Sequence, residues 1–208
     1  MTQFRIHHAP PYELTHLSIP ITDYYFTVDT AERATLQEWK KKNPHNITYA
    51  FDGDELVGFV EILPVTMECG ALMEAQELRE EDLTADYILP PETMRFAQYL
   101  YISGIAVKEL ESWRSRKCAA ALISCGAGMI RNLYGGLHLK KIFANPTTYW
   151  GNRIIGKFGL TPLRHFKQSI SAAHDFYGVD VTPESMADMA ALEKRYQKFM
   201  LDYPWPLA

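Results

Sequence analysis

Cysteine is scarce in this chain: Cys69, Cys118 and Cys125 are the only three, an odd number without C-x-x-C spacing. That excludes a disulfide framework and a cysteine-based zinc site, and leaves the thiols as small buried hydrophobes. Long apolar runs are missing too. No stretch approaches the roughly 20 residues that span a bilayer, and the start, MTQFRIHHAPPYEL, lacks the cationic head and apolar core of a secretory leader. A cytoplasmic protein without a membrane partner is the expectation. There is no basic excess: 21 Lys and Arg against 25 Asp and Glu give a net charge of −4. A general nucleic-acid binder would carry the opposite balance, so any anion site must be local. The seven histidines include no pair at helical i, i+4 spacing with a third ligand, so no metal site is expected. Internal repeats and low-complexity linkers are absent as well, which favours one continuous domain over residues 1–208.

What is present reads as an alternation of helices and strands. TVDTAERATLQEWKKKNP offers Asp29 or Thr30 as a cap, a helical pattern through Leu36 and Trp39, and a stop before Pro44. NITYAFDGDELVGFVEILPV is a hairpin signal, two β-rich runs around Asp52-Gly53. Residues 67–97 carry Glu74, Glu77, Glu80, Glu81, Asp82 and Asp86, and read as a partly helical, exposed insertion. YLYISGIAV (99–107) is a strand, and Cys118, Leu122, Cys125, Met129 and Leu133 then recur at helical spacing. LKKIFANPT is a further strand, YWGNRIIGKFG a short helix ended by Gly159, and LTPLRHFKQSI and HDFYGVDV are β-rich. An amphipathic helix over 183–203 closes the chain, with Thr182 as cap and Pro183 at its first position.

The junction ESWRSRKCAAALIS (111–124) is the least ordinary stretch. Arg114, Arg116 and Lys117 fall at or within the first turn of a helix, where the macrodipole makes each cation unfavourable by roughly 0.3–1 kcal/mol. A phosphate seated on the helix amides would reverse that penalty. Neutralisation by Glu109 and Glu111 on a solvated surface is the other reading of the same residues. Cys118, among these cations at a helix start, is in a setting that lowers a thiol pKa, although without a histidine partner a packed thiol is the default.

The order of elements and three motifs together resemble the GNAT superfamily of acyl-CoA-dependent N-acyltransferases. Ile105-Ala106-Val107 matches the family's strand end. Arg114-Ser115-Arg116-Lys117-Cys118-Ala119 occupies the frame of its pyrophosphate loop, with Lys117 where the family has a first glycine, and Lys157-Phe158-Gly159-Leu160 matches its Lys-x-Gly-Phe-like tail. The resemblance covers about residues 30–170. It implies an α/β (α+β) fold: a mixed, mostly antiparallel central sheet flanked by helices, with the 67–97 segment inserted before the central strand.

It also implies acetyl-CoA or another acyl-CoA as co-substrate, with no metal, and a small-molecule or protein amine as acceptor. Backbone groups at Ile105, Ala106 and Val107 would polarise the thioester. Arg114, Arg116, Lys117, Cys118 and Ala119 would hold the pyrophosphate, and Asn145 and Asn152 would lie along the cofactor. Where many members place a tyrosine as the acid for the departing thiolate, this chain has Ile155; Tyr149, Tyr101 and Asn145 are left to stand in. For the base, alternation places Glu61 on the face of Phe59 and Leu63, where an acid among apolar neighbours has the raised pKa a base needs; a charged edge-strand residue is the bland alternative. Tyr101 is read as acid or core. The acidic insertion, folded over the acceptor groove, would favour a polyamine or lysine side chain; left in solvent, it is only a charged surface. A GNAT-fold ligand-binding or regulatory protein without chemistry is the alternative function. A homodimer through the aromatic tail FMLDYPWPL is a third reading.

Overall fold

A computed structural model of the chain describes residues 4–25, 33–78, 80–108, 113–134, 138–146, 148–163 and 176–202. Strong β-formers in alternating register build its centre. The strands β1 (Phe4–His8), β2 (Ile47–Asp52), β3 (Glu55–Val65), β4 (Tyr99–Val107), β5 (Lys141–Ala144), β6 (Thr161–Pro162) and β7 (Tyr177–Asp180) form one sheet in the order β1-β2-β3-β4-β5-β7-β6. Only β4 and β5 are parallel; every other neighbouring pair is antiparallel. The β2–β3 hairpin turns through Gly53, whose φ of 62° lies in the left-handed region that glycine adopts freely. The sheet outruns the expected core of residues 30–170 at both ends: β1 pairs with β2, and β7 lies inside the sheet between β5 and β6.

The helices are α1 (Ile19–Tyr25), α2 (Arg33–Lys42), α3 (Met67–Ala75), α4 (Trp113–Met129), α5 (Tyr149–Lys157) and α6 (Pro183–Asp202). α2 stops before Pro44 as its sequence predicts; its expected caps, Asp29 and Thr30, lie outside the described residues. α4 continues into a π turn at Ile130–Tyr134. At the start of α6 the Thr182 hydroxyl accepts from the Ser185 amide at 3.1 Å, and Ser185 Oγ accepts from the Thr182 amide at 2.9 Å, which satisfies two end donors reciprocally. Residues 164–170 of the LTPLRHFKQSI stretch, Glu109 and Glu111, and the aromatic tail from 203 onward lie outside the described residues. Among the described residues no helix is long and apolar enough to cross a membrane, and no group of three or more His, Cys, Asp or Glu side chains could hold a metal ion.

Alternation along β3 sends Val60 and Ile62 to one face, packed with Leu122 of α4 and Met189 of α6. Phe59, Leu63 and Val65 go to the other, with Tyr49 near Phe59 and with Trp39 of α2 and Met73 of α3 near Leu63. The insertion packs on this second face and is not the exposed excursion that its charge predicts. Cys69, Met73, Leu78, Leu83, Ile88 and also Glu80 are buried, and the Trp39 indole donates to the Leu83 carbonyl at 2.9 Å. The apolar residues between the carboxylates outweigh the charges in deciding where the segment lies.

Gly58 sets how closely α4 approaches the sheet. A Cβ there would lie 2.7 Å from the Ala106 carbonyl oxygen and 3.0 Å from Cys118 Sγ. Gly58→Ala is expected to destabilise the fold by about 1–3 kcal/mol through overpacking, read as a lower urea midpoint with an unchanged denaturant slope.

Candidate active site

β4 and β5 pair from Tyr99–Lys141 to Ile102–Ala144, where β5 ends while β4 runs on to Val107. The parting opens a cleft of about 110 Å³. Its walls are Ser103 to Val107 on one side and Ala144, Asn145 and Pro146 on the other, with Ala119 of α4 and Gly151, Ile154 and Ile155 of α5 completing it. The lining is mostly apolar, and Asn145, one of its residues, has a side-chain oxygen buried without a hydrogen-bond partner among the described residues. A buried amide oxygen costs about 1–3 kcal/mol when left unpaired, so the site fits a slender apolar chain carrying an N–H donor.

The cleft collects Ile105, Ala106, Val107, Ala119 and Asn145 from the expected cofactor residues. It leaves the others outside. Arg114 pairs with Asp52 at the end of the β2–β3 hairpin. Lys117 is buried, with its ammonium 5.2 Å over the Trp113 ring. Arg116 is exposed in the first turn of α4, with no such contact among the described residues. Cys118 packs into the core on the buried side of α4, and burial pushes its thiol well up, the reverse of the lowering expected from neighbouring cations. Asn152 is exposed and donates to the Thr148 carbonyl at 3.1 Å. Tyr149 is 68% exposed, edge-on to Trp150, and accepts from Arg153 at 3.3 Å, so it does not line the cleft. Ile155 does line it, and its side chain brings no acid there.

A second, polar cavity lies on the other face of β4. The pairing of β3 and β4 slips by one residue, with Glu61 opposite Gly104 and Ile62 opposite Ile102, so Ser103 is the extra residue of a bulge. Ser103 lines both the cleft and the polar cavity. Its hydroxyl donates to Glu61 Oε2 at 2.8 Å, while Glu61 Oε1 is buried without a partner among the described residues. The cavity, about 20 Å³, is lined also by Thr22, Leu36, Lys40, Phe59 and Glu80. The Tyr101 hydroxyl donates to Glu80 Oε2, and Lys40 Nζ donates to Ser18 Oγ at 2.9 Å.

Burial raises the Glu61 carboxyl above the usual carboxylate range, against the opposing pull of the Lys40 charge and the Ser103 hydrogen bond. Glu80 is pushed up to about 7, by burial first; the Tyr101 hydrogen bond opposes the rise and the Glu61 charge adds to it. Burial lowers Lys40, partly offset by Glu61. The Tyr101 phenol is raised well above its ordinary value by burial and then by Glu80, which makes it a hydrogen-bond donor held neutral and not a ready acid.

Glu61 therefore sits on the face its alternation predicts. Glu80, Lys40 and Ser103 were not read from the sequence as site residues. Lys40 had a signal: Leu36, Trp39, Lys40 and Asn43 fall at i, i+3, i+4 and i+7, so the buried stripe of α2 runs through the lysine. Glu80 had none, being one acid in a run of acids.

No family model matches the chain, and no curated protein matches it. Solved structures do resemble it. The loading GNATL domain of CurA from Lyngbya majuscula is 9% identical, with 86% of this chain and 98% of that chain covered and a TM-score of 0.57. The polyamine N-acetyltransferase of Drosophila melanogaster, an enzyme that catalyses the formation of N-acetylagmatine, is 15% identical over 86% of this chain and 100% of that chain, at a TM-score of 0.53. N-acetylglutamate synthase from Neisseria gonorrhoeae, complexed with coenzyme A and N-acetylglutamate, is 10% identical over 88% of this chain and 36% of that chain, at 0.52.

Proposed function

Taking the GNAT fold that these likenesses show as the premise, we propose that the protein is an N-acyltransferase that moves an acyl group, acetyl in the simplest case, from acyl-coenzyme A to an amine. The observation that carries the reading is the bulge at Ser103, which joins an apolar cleft holding an unpartnered amide oxygen to a buried carboxylate holding an unpartnered carboxylate oxygen. The coenzyme A complex and the agmatine-acetylating enzyme among the similar structures support the donor and acceptor classes.

Ile105, Ala106, Val107 and Asn145 would hold the chain of the co-substrate, and Arg116 its phosphates. Arg114 would reach them only by leaving Asp52. When bound, acyl-CoA supplies a thioester carbonyl open to attack. Glu61 is the proton acceptor: Oε1 is unpaired, Ser103 fixes Oε2, and burial raises the group toward neutral pH. Ser103 positions Glu61 at the point where cleft and cavity meet.

A second reading, a GNAT-fold binding protein without turnover, is favoured by Ile155, which cannot donate a proton to a departing thiolate. Thiol release from acetyl-CoA in the presence of a panel of amines, followed with a thiol-reactive chromophore, separates the two. Amine-dependent release is the expected result. Saturable acetyl-CoA binding without release under any amine would favour the binding protein.

A further inference from the structure

We infer that the polar cavity beside Ser103 seats the ammonium head of the acceptor, and that its carboxylates, Glu61 and Glu80, select a primary alkylamine with no carboxylate on the amine-bearing carbon. The inference rests on the acyltransferase reading and names the acceptor class for the same site.

Size comes first. A cavity of about 20 Å³ admits one water-sized group. An ammonium head is of that size, whereas an ammonium and an α-carboxylate together do not fit inside. Hydrogen bonding comes next. Glu61 is 3% exposed, lines the cavity, and has Oε1 without a partner. A buried acceptor of this kind is matched by a group that only donates, and an ammonium brings three donors.

Charge completes the argument. Among the described residues lining the cavity, two carboxylates, Glu61 and Glu80, face one cation, Lys40. That cation is engaged elsewhere: its Nζ donates to Ser18 Oγ at 2.9 Å and stands 6.0 Å over the Tyr49 ring. The Tyr101 hydroxyl supplies Glu80 with a hydrogen bond but no charge. An incoming ammonium balances the second carboxylate. An α-amino acid would add a third carboxylate to a poorly solvated place whose described lining holds one lysine, where like charges repel most strongly. Because Ser103 borders both spaces, an amine whose head enters the cavity lies beside the acyl cleft.

The test uses butylamine and 2-aminopentanoate, which share a chain and differ by one carboxylate on the amine-bearing carbon. Each is titrated calorimetrically into the full chain and into Glu80→Gln, and acetyl-CoA is titrated separately. Butylamine is expected to bind wild type at least tenfold more tightly than 2-aminopentanoate, and Glu80→Gln is expected to bring the two within about threefold. Equal affinities in wild type, tighter binding of 2-aminopentanoate, or no butylamine binding at all would overturn the inference, and none of these needs a variant that folds. A tenfold preference that survives in a folded Glu80→Gln would remove Glu80 from the site. Acetyl-CoA binding with no discrimination between the amines would sink this inference alone. Selective butylamine binding without acetyl-CoA binding would keep the ammonium site and sink the acyltransferase reading.

Discussion

Glu61→Gln is expected to lower kcat for amine acetylation by about 10²–10⁴-fold, the usual worth of a positioned general base, with little change in KM for acetyl-CoA. Glutamine has the volume of glutamate, and its oxygen still accepts from the Ser103 hydroxyl, which lies 2.8 Å from Glu61 Oε2. It cannot take a proton. The substitution removes one of the carboxylates facing the buried Lys40, so a urea midpoint measured on the same variant separates lost rate from lost fold. The pH profile supplies a second signature. Burial lifts the Glu61 carboxyl above the ordinary range, so the rate should rise with pH through a midpoint well above that of an exposed carboxylate. Ser103→Ala, which leaves the base in place but unfixed, should cost less and keep the profile. A Glu61→Gln enzyme with wild-type kcat would move the base elsewhere.

The second large effect is on stability. Glu80 titrates at about 7 in the folded protein, against an ordinary value of 4.5. A carboxyl whose folded pKa is raised favours the fold in its protonated form. Its contribution is fully present below about pH 4.5 and is lost as pH rises through about 7, because over that range the folded chain binds more protons than the unfolded one. The shift corresponds to a loss on the order of 2–3 kcal/mol from Glu80 between pH 4 and pH 8. Glu61 is raised as well and acts in the same direction. Glu80→Gln, whose amide oxygen can still accept from Tyr101, should flatten the fall, so that the variant is the more stable protein at pH 8 and the advantage shrinks toward pH 4. Urea unfolding of both proteins at the two pH values reads this directly. Parallel stability curves would show that Glu80 is solvated in solution.

Much of this architecture is legible in the sequence because local signals and tertiary packing agree. The β2–β3 hairpin, the span of β4 from Tyr99 to Val107 and the Thr182–Pro183 start of α6 follow from turn chemistry, alternation and capping, and the structure keeps them. The site is legible only in half. Glu61 lies where period two puts it, and Ile105 to Val107, which the resemblance assigns to the co-substrate, line the cleft. The bulge at Ser103 was not legible, since one added residue in β4 is set by pairing with β3 and leaves no compositional trace. Glu80 was misread because composition averages over the insertion, whereas burial is decided residue by residue, here by Leu78 and Leu83 on either side of it.

The three cations at the start of α4 divide in the same way. Arg114 serves Asp52 and Lys117 lies over Trp113, so two of the three are explained by neighbours close in space that the sequence does not place beside them. Arg116 is exposed with no such contact among the described residues, and it is the one of the three that the proposed phosphate seat calls on.

The acyl cleft is the claim on which the rest depends, and calorimetric titration of acetyl-CoA into the wild-type chain and into Asn145→Leu tests it most directly. Saturable binding that weakens at least tenfold in the variant is the expected result, since leucine fills the same space without the oxygen that is unpartnered in the cleft wall. No binding at millimolar acetyl-CoA, or binding that Asn145→Leu leaves unchanged, would mean that the parting of β4 and β5 is not where this protein holds an acyl donor.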